Sequence, residues 1–183
     1  TIAGYLTKNE AERNPYDLLY LGYEDNSSDV EAILGLPYFI AIGENHIRMR
    51  VSEYLKPFLG SPTNIIHKSA IVSGLSAMGY GVYIGPKAII NASAYISDGC
   101  IINSGAIVEH ECDIGSFSHI APGAILAGSV IVGANTFVGA GAVIKNGIKV
   151  GDNVIIGAGA VVIRDVPDGV TIVGNPGRII KKQ

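Results

Sequence analysis

From Ile66 to Val162 an aliphatic residue, or once a methionine, occupies every sixth position without a slip, as at Ile66, Val72, Met78, Ile84, Ile90 and Ile96. A period of six matches neither the two of a strand nor the 3.6 of a helix. One flat sheet or one helix therefore cannot present these side chains as a single stripe. Fixed-period self-similarity means a repeat architecture, in which each unit buries its apolar face only by stacking on its neighbours. Four positions beyond each aliphatic the residue is mostly small, as at Ala88, Ala94, Cys100, Ala106 and Ala124. The position just after the aliphatic is often Gly or Asn, as at Gly85, Asn91, Gly115, Gly133 and Gly139, which predicts tight corners there. Three hexads then close a triangular coil of eighteen residues. Stacked at strand spacing, such coils make a prism about 25 to 30 Å long.

Composition fits this picture and removes several function classes. The chain is 48% hydrophobic but only 7% aromatic, as a solenoid filled with Ile, Val and Ala requires. A formal charge of -3 supplies no broad basic field for nucleic acid. No apolar run approaches a membrane span and the N-terminal pattern is not that of a signal peptide, so a cytoplasmic location is expected. Cys100 and Cys112 fall at equivalent small positions on different sides of the triangle, which predicts buried free thiols and no disulfide. Metal-ligand spacing is absent.

Residues 1–62 follow another pattern. Short strands are predicted at 2–6, 18–22 and 38–43, the last nearly continuous in apolar residues. Ser28 is the expected cap of a brief helix through Leu34. Ile47, Val51, Tyr54, Leu55 and Phe58 give helical spacing beyond Asn45. Strand then helix, repeated, argues for a small α/β domain. Its loop Gly43-Glu44-Asn45-His46 joins a strand end to a helix start, a place where backbone N–H groups can meet phosphate, although Glu44 opposes an anion. His46 is read as a solvated helix-start residue. Residues 61–64 form a linker, His67 is expected to help cover the open start of the prism, and the chain ends in a basic tail with Lys181 and Lys182.

The hexad Val108-Glu109-His110-Glu111-Cys112-Asp113 breaks the plain composition of the repeat. A histidine flanked by carboxylates is how proteins make a general base, because a nearby anion favours the protonated imidazole. Steps of eighteen place His110 between Ala92 and Gly128, both nearly without side chain, which predicts an open notch around the imidazole, and Glu111 between Ser93 and Ser129. His119 falls between Ile101 and Phe137, a more enclosed setting, and the column Pro122, Ala140, Ala158 is lean enough for a thin ligand. On a strand, neighbours point to opposite faces, so Glu111 can support His110 only if the pair turns a corner.

The hexads resemble the left-handed parallel β-helix of hexapeptide acyltransferases. The run from Glu109 through Ala124, with residues 38–43 and 65–70, resembles more narrowly the sugar O/N-acetyltransferases related to sialic acid O-acetyltransferase, and among them the branch acting on UDP-4-amino sugars. That resemblance implies acetyl transfer from acetyl-CoA to the amine of a nucleotide-activated amino sugar, without a metal, in glycan biosynthesis. It makes His110 the general base and Glu111 the acidic residue supporting it. Asn103 becomes a polar residue of the same cleft, Gly43 part of the nucleotide-sugar loop, and His119 a contact of acetyl-CoA. Ala140 and Ala158 would line the pantetheine path. It further implies a homotrimer with clefts between neighbouring prisms. The family's first strand and glycine-rich loop have no counterpart in the sequence, so residues 1–62 read as a truncated nucleotide-sugar-binding domain ahead of an acyltransferase domain at 63–183. O-acetylation of a sugar hydroxyl, such as that of a sialic acid, and a non-catalytic binding solenoid remain the alternatives. A zinc enzyme of the carbonic anhydrase type would need three converging histidines, whereas His110 and His119 lie half a coil apart.

Overall fold

A computed structural model describes residues 2–182, the side chain of Lys182 excepted; Thr1 and Gln183, at the outer limits of the two expected domains, lie outside the described residues. Each hexad forms a two-residue strand, and each strand pairs in parallel with the equivalent strand of the next coil, as Ile107 with Ile125 and Asp113 with Ile131. The strands stack into three sheets, the faces of a triangular prism. The first face includes Ile101–Ile102, His119–Ile120 and Phe137–Val138, the second Ile107–Val108 and Ile125–Leu126, the third Asp113–Ile114 and Ile131–Val132. The second residue of each strand points inward. Ile84, Ile96, Val108, Ile114 and Ile120 are fully buried, as are the small residues Ala88, Ala106 and Ala124 beside them. Each such aliphatic contributes about 1.5 to 3 kcal/mol of burial. The buried hydroxyls are satisfied: Ser118 Oγ donates to the Gly133 carbonyl at 2.6 Å and Thr136 Oγ1 to that of Gly151 at 2.8 Å.

The corners differ from expectation in one respect. The left-handed backbone falls three positions after the aliphatic, at Lys87, Ser93, Gly99, Gly105, Glu111 and Phe117 among others, rather than directly after it. Glycine directly after the aliphatic answers to close approach between coils: a Cβ on Gly115 would lie 2.5 Å from the Ala134 nitrogen, and one on Gly139 2.6 Å from that of Ala158.

The N-terminal unit contains a two-stranded parallel ladder, β1 (Gly4–Tyr5) with β2 (Leu19–Tyr20), and two helices, α1 (Ser27–Glu31) and α2 (Asn45–Leu59). Asn26 caps α1 in place of Ser28, its side chain accepting from the Ser28 N–H at 3.1 Å. Residues 38–43 form no ladder. Their apolar character serves packing instead, with Ile40 buried against Val30, Val51 and Leu55. The buried face of α2 is also rotated from the expected stripe: Asn45, Arg48, Val51, Ser52 and Leu55 are buried, while Ile47 and Phe58 are 44% and 50% exposed. The helix meets backbone carbonyls of the prism at its N-terminal end, so polar residues belong there. At the far end of the prism Val170–Val173 and Arg178–Lys182 form an antiparallel hairpin over the last coil. At the near end Ile66 stays 48% exposed, and His67, half-buried, bonds within its own corner to Ser69.

Candidate active site

His110 and Glu111 occupy the turn between the second and third faces, so they escape the alternation of a strand. Glu111 takes the left-handed conformation, φ 59°, and this brings its carboxylate back to its neighbour: His110 Nδ1 lies 3.3 Å from Glu111 Oε2. Ser129 Oγ, one coil on, donates to the same oxygen at 3.2 Å. The bare neighbour Gly128 is not an empty notch; the imidazole lies directly over it, and a Cβ there would come 2.5 Å from His110 Cε1 and Nε2. Glycine at 128 thus seats the ring. With Nδ1 turned to the carboxylate, Nε2 is the nitrogen left with a free lone pair. The side chains are 57% and 64% exposed, so water screens their attraction in the single chain.

A second cluster forms where the N-terminal unit meets the first face. Asn103 Nδ2 lies 3.1 Å from His119 Nε2, and His119 Nδ1 lies 3.4 Å from the Gly43 carbonyl. Phe137 sets its ring edge-on to His119 at 5.2 Å. Half-burial of this imidazole, together with the nearby Arg48 cation, holds its pKa below the ordinary value. A Cβ on Gly43 would meet nothing within 4 Å, so packing does not demand glycine there and its absent side chain keeps the cleft open. That cleft, about 380 Å³, runs from Gly43 and His119 to Asn135 and Asn153. At the start of α2 one of the free backbone N–H groups is already used, because Glu44 Oε2 accepts from the Ile47 N–H at 2.7 Å. His46, exposed as expected, also bonds to Asn135 at 2.7 Å.

Arg48, which the sequence reading passed over, is 1% exposed and joins the two units. Its guanidinium donates to the carbonyls of Gly99 (2.7 Å), Phe117 (2.7 Å), Ile42 (2.9 Å) and Gly43 (3.0 Å), and to Asn45 Oδ1 (2.9 Å). Its position three residues before Val51 and seven before Leu55, on one helix face, was the available signal. The lean column Pro122, Ala140, Ala158 stacks at the corner between first and second faces, all three exposed. Within one chain Gly43, Asn103 and His119 therefore converge, whereas His110 and Glu111 sit at the corner opposite the face that carries His119. Among the described residues no group of three or more His, Cys, Asp or Glu side chains could hold a metal ion.

The fold has counterparts in known proteins. Residues 129–164 match the bacterial transferase hexapeptide (six repeats) family. PerB from Caulobacter crescentus, solved with CoA and GDP-perosamine, is 38% identical over 87% of this chain and 77% of its own, with a TM-score of 0.83. This chain belongs to the hexapeptide-repeat sugar N-acetyltransferases. The acetyltransferase domain of PglB from Neisseria gonorrhoeae, in complex with acetyl coenzyme A, is 30% identical over 97% of this chain and 85% of its own, with a TM-score of 0.90. WeeI from Acinetobacter baumannii is 26% identical over 97% and 85%, with a TM-score of 0.84. In two further structures of the Caulobacter enzyme one histidine is replaced, by asparagine or by alanine, and both still hold CoA and GDP-perosamine. Family membership fixes the hand of the prism as a left-handed parallel β-helix.

Proposed function

We propose that this chain transfers acetyl from acetyl-CoA to the amine of a nucleotide-activated amino sugar, with 4-amino-4,6-dideoxy sugars linked to UDP or GDP as the acceptor class. The observation that carries the reading is the imidazole seated over Gly128 with Glu111 on Nδ1, in a chain of the sugar N-acetyltransferase family. In this reading the amine nitrogen attacks the thioester carbonyl carbon and His110 Nε2 takes the proton the nitrogen loses. The C–S bond breaks and the proton passes to the departing thiolate, giving the amide and free CoA. The thioester is already electrophilic, so orientation plus one base suffices. Glu111 holds the imidazole with its free nitrogen outward and stabilises the imidazolium that forms.

The donor side is assigned to Asn103, His119 and the Ala140–Ala158 column, and the nucleotide sugar to the Gly43 side of residues 1–62. Because His110 faces away from that cluster, a complete site calls for two neighbouring prisms, and a homotrimer provides it three times. Burial between chains would also strengthen the His110–Glu111 attraction that water now screens. No helix among the described residues is long and apolar enough to cross a membrane; a cytoplasmic place, where acetyl-CoA and nucleotide sugars are made, fits the proposal. The test is CoA release against a panel of amino and hydroxy nucleotide sugars, with light scattering for assembly. Amino sugars should turn over and a trimer should be found. Turnover confined to hydroxy sugars, or full activity in a monomer, would overturn the reading.

A further inference from the structure

We propose that Arg48 is a positioning residue for the donor half of the site: through the Gly43 carbonyl it fixes which nitrogen of His119 carries the proton. The inference deepens the reading above and rests on it where His119 is taken to face acetyl-CoA.

The argument starts from an unusual burial. Val51 and Leu55 share the face of α2 with Arg48, and another apolar residue there would hold the helix to the prism at no desolvation cost. A guanidinium stands there instead. Burial lowers its pKa to about 10, so it is still a cation at neutral pH. All five of its N–H groups are used, four on main-chain carbonyls from three separate parts of the chain. Gly99 and Phe117 are stacked corners of the prism, both left-handed; Ile42 and Gly43 belong to the loop entering α2. The planar fork sets the distance between corner and loop, which a single ammonium cannot do.

Gly43 is where this scaffold reaches the cleft. Its carbonyl has two lone pairs: one accepts from Arg48 at 3.0 Å, the other faces His119 Nδ1 at 3.4 Å. The far side of the ring is fixed independently. The Ser104 N–H donates to Asn103 Oδ1 at 2.7 Å, which orients the amide with its Nδ2 toward His119 Nε2 at 3.1 Å. An amide nitrogen only donates, so Nε2 holds a lone pair and the proton sits on Nδ1, aimed at Gly43. Both ends of the ring agree on one tautomer. The cation behind the shared carbonyl also disfavours a second proton. His119 thus presents the cleft with a neutral ring locked in one orientation, its Nδ1–H held by Gly43 and its Nε2 lone pair by Asn103, so the donor half of the site meets a fixed, uncharged edge.

The test uses the full chain labelled with 15N-histidine, long-range 1H–15N spectra of the His119 ring, and calorimetric titration with acetyl-CoA. Wild-type protein should show the Nδ1–H tautomer at neutral pH. Arg48→Lys keeps a charge but not the fork, and Arg48→Met keeps neither; each should mix the tautomers and weaken acetyl-CoA binding about tenfold. Asn103→Asp, which places an acceptor opposite Nε2, should move the proton there and weaken binding in the same direction, and it keeps the test decisive if the Arg48 variants do not fold. A wild-type ring protonated on Nε2 overturns the proposal. So does a folded Arg48 variant of lowered stability that keeps both tautomer and affinity, since that is adhesion alone. None of these readouts needs an acceptor sugar, so failure of the acetyl-transfer reading would show separately, as bound acetyl-CoA without product.

Discussion

Replacing Gly128 by alanine tests the seat of the proposed base more selectively than removing the base itself. Gly128 is not among the glycines with left-handed backbone, so alanine fits its main chain without strain. The added methyl would stand 2.5 Å from His110 Cε1 and Nε2 and 3.1 Å from Nδ1, where ordinary contact begins near 3.4 Å. The ring must therefore swing away by about 1 Å, and a misplacement of that size in a reacting group costs on the order of 100-fold in rate, equivalent to about 2.7 kcal/mol in the barrier. The motion itself is cheap, because the imidazole is a half-exposed group on rotatable bonds. Stability should change by no more than about 0.5 kcal/mol. The assay is thiol release from acetyl-CoA with a saturating nucleotide amino sugar, beside a thermal melt and an acetyl-CoA titration. A drop in kcat of one to two orders of magnitude, with the melt and donor affinity of the parent, is expected. A folded Gly128→Ala protein with kcat within about twofold of wild type would refute the placement of His110 at the reacting atoms.

Other outcomes follow from the same structure. Ile114→Ala, at a position with no exposed surface, should cost about 2 to 5 kcal/mol in urea unfolding, the range for emptying a packed core site. Gly115→Ala should also destabilise, because its Cβ would meet the backbone of the next coil at 2.5 Å and backbone cannot step aside; Gly141→Ala, in open space but left-handed at φ 65°, should cost about 1 kcal/mol through strain alone. Arg48→Met leaves four carbonyls without their charged donor and should lower stability by at least about 3 kcal/mol in the same assay. His119 has a lowered pKa in the folded chain, so below its ordinary 6.5 the unfolded chain binds the extra proton first. Stability should fall as pH drops from 6.5 toward the folded value, and His119→Gln should flatten that part of the profile.

The prism was legible in the sequence because its cause is local and repeated. An aliphatic every six residues and a small residue four beyond it are what a closed coil requires, and Ile84, Ile114 and Ala106 are buried as that pattern demands. The same arithmetic placed His110 over Gly128 and His119 between Ile101 and Phe137. The N-terminal unit was less legible because its contacts do not repeat. Residues 38–43 look like a strand but satisfy their apolar character against α1 and α2, and the face of α2 was misjudged because its N-terminal end docks on carbonyls, which attract Arg48 and Asn45 rather than Ile47. The Glu111 contact hung on a left-handed residue in a turn, and at that corner position Lys, Ser, Phe and Asn occur as well as Gly, so residue type alone did not reveal it.

The most direct measurement compares wild-type chain with His110→Ala, using acetyl-CoA and a nucleotide-linked 4-amino sugar, with turnover followed by CoA release and the product by mass spectrometry. The account predicts an N-acetylated sugar from the wild type, and a loss of at least about 100-fold in turnover for the variant with acetyl-CoA still bound at wild-type affinity. Near-normal turnover by His110→Ala would contradict it.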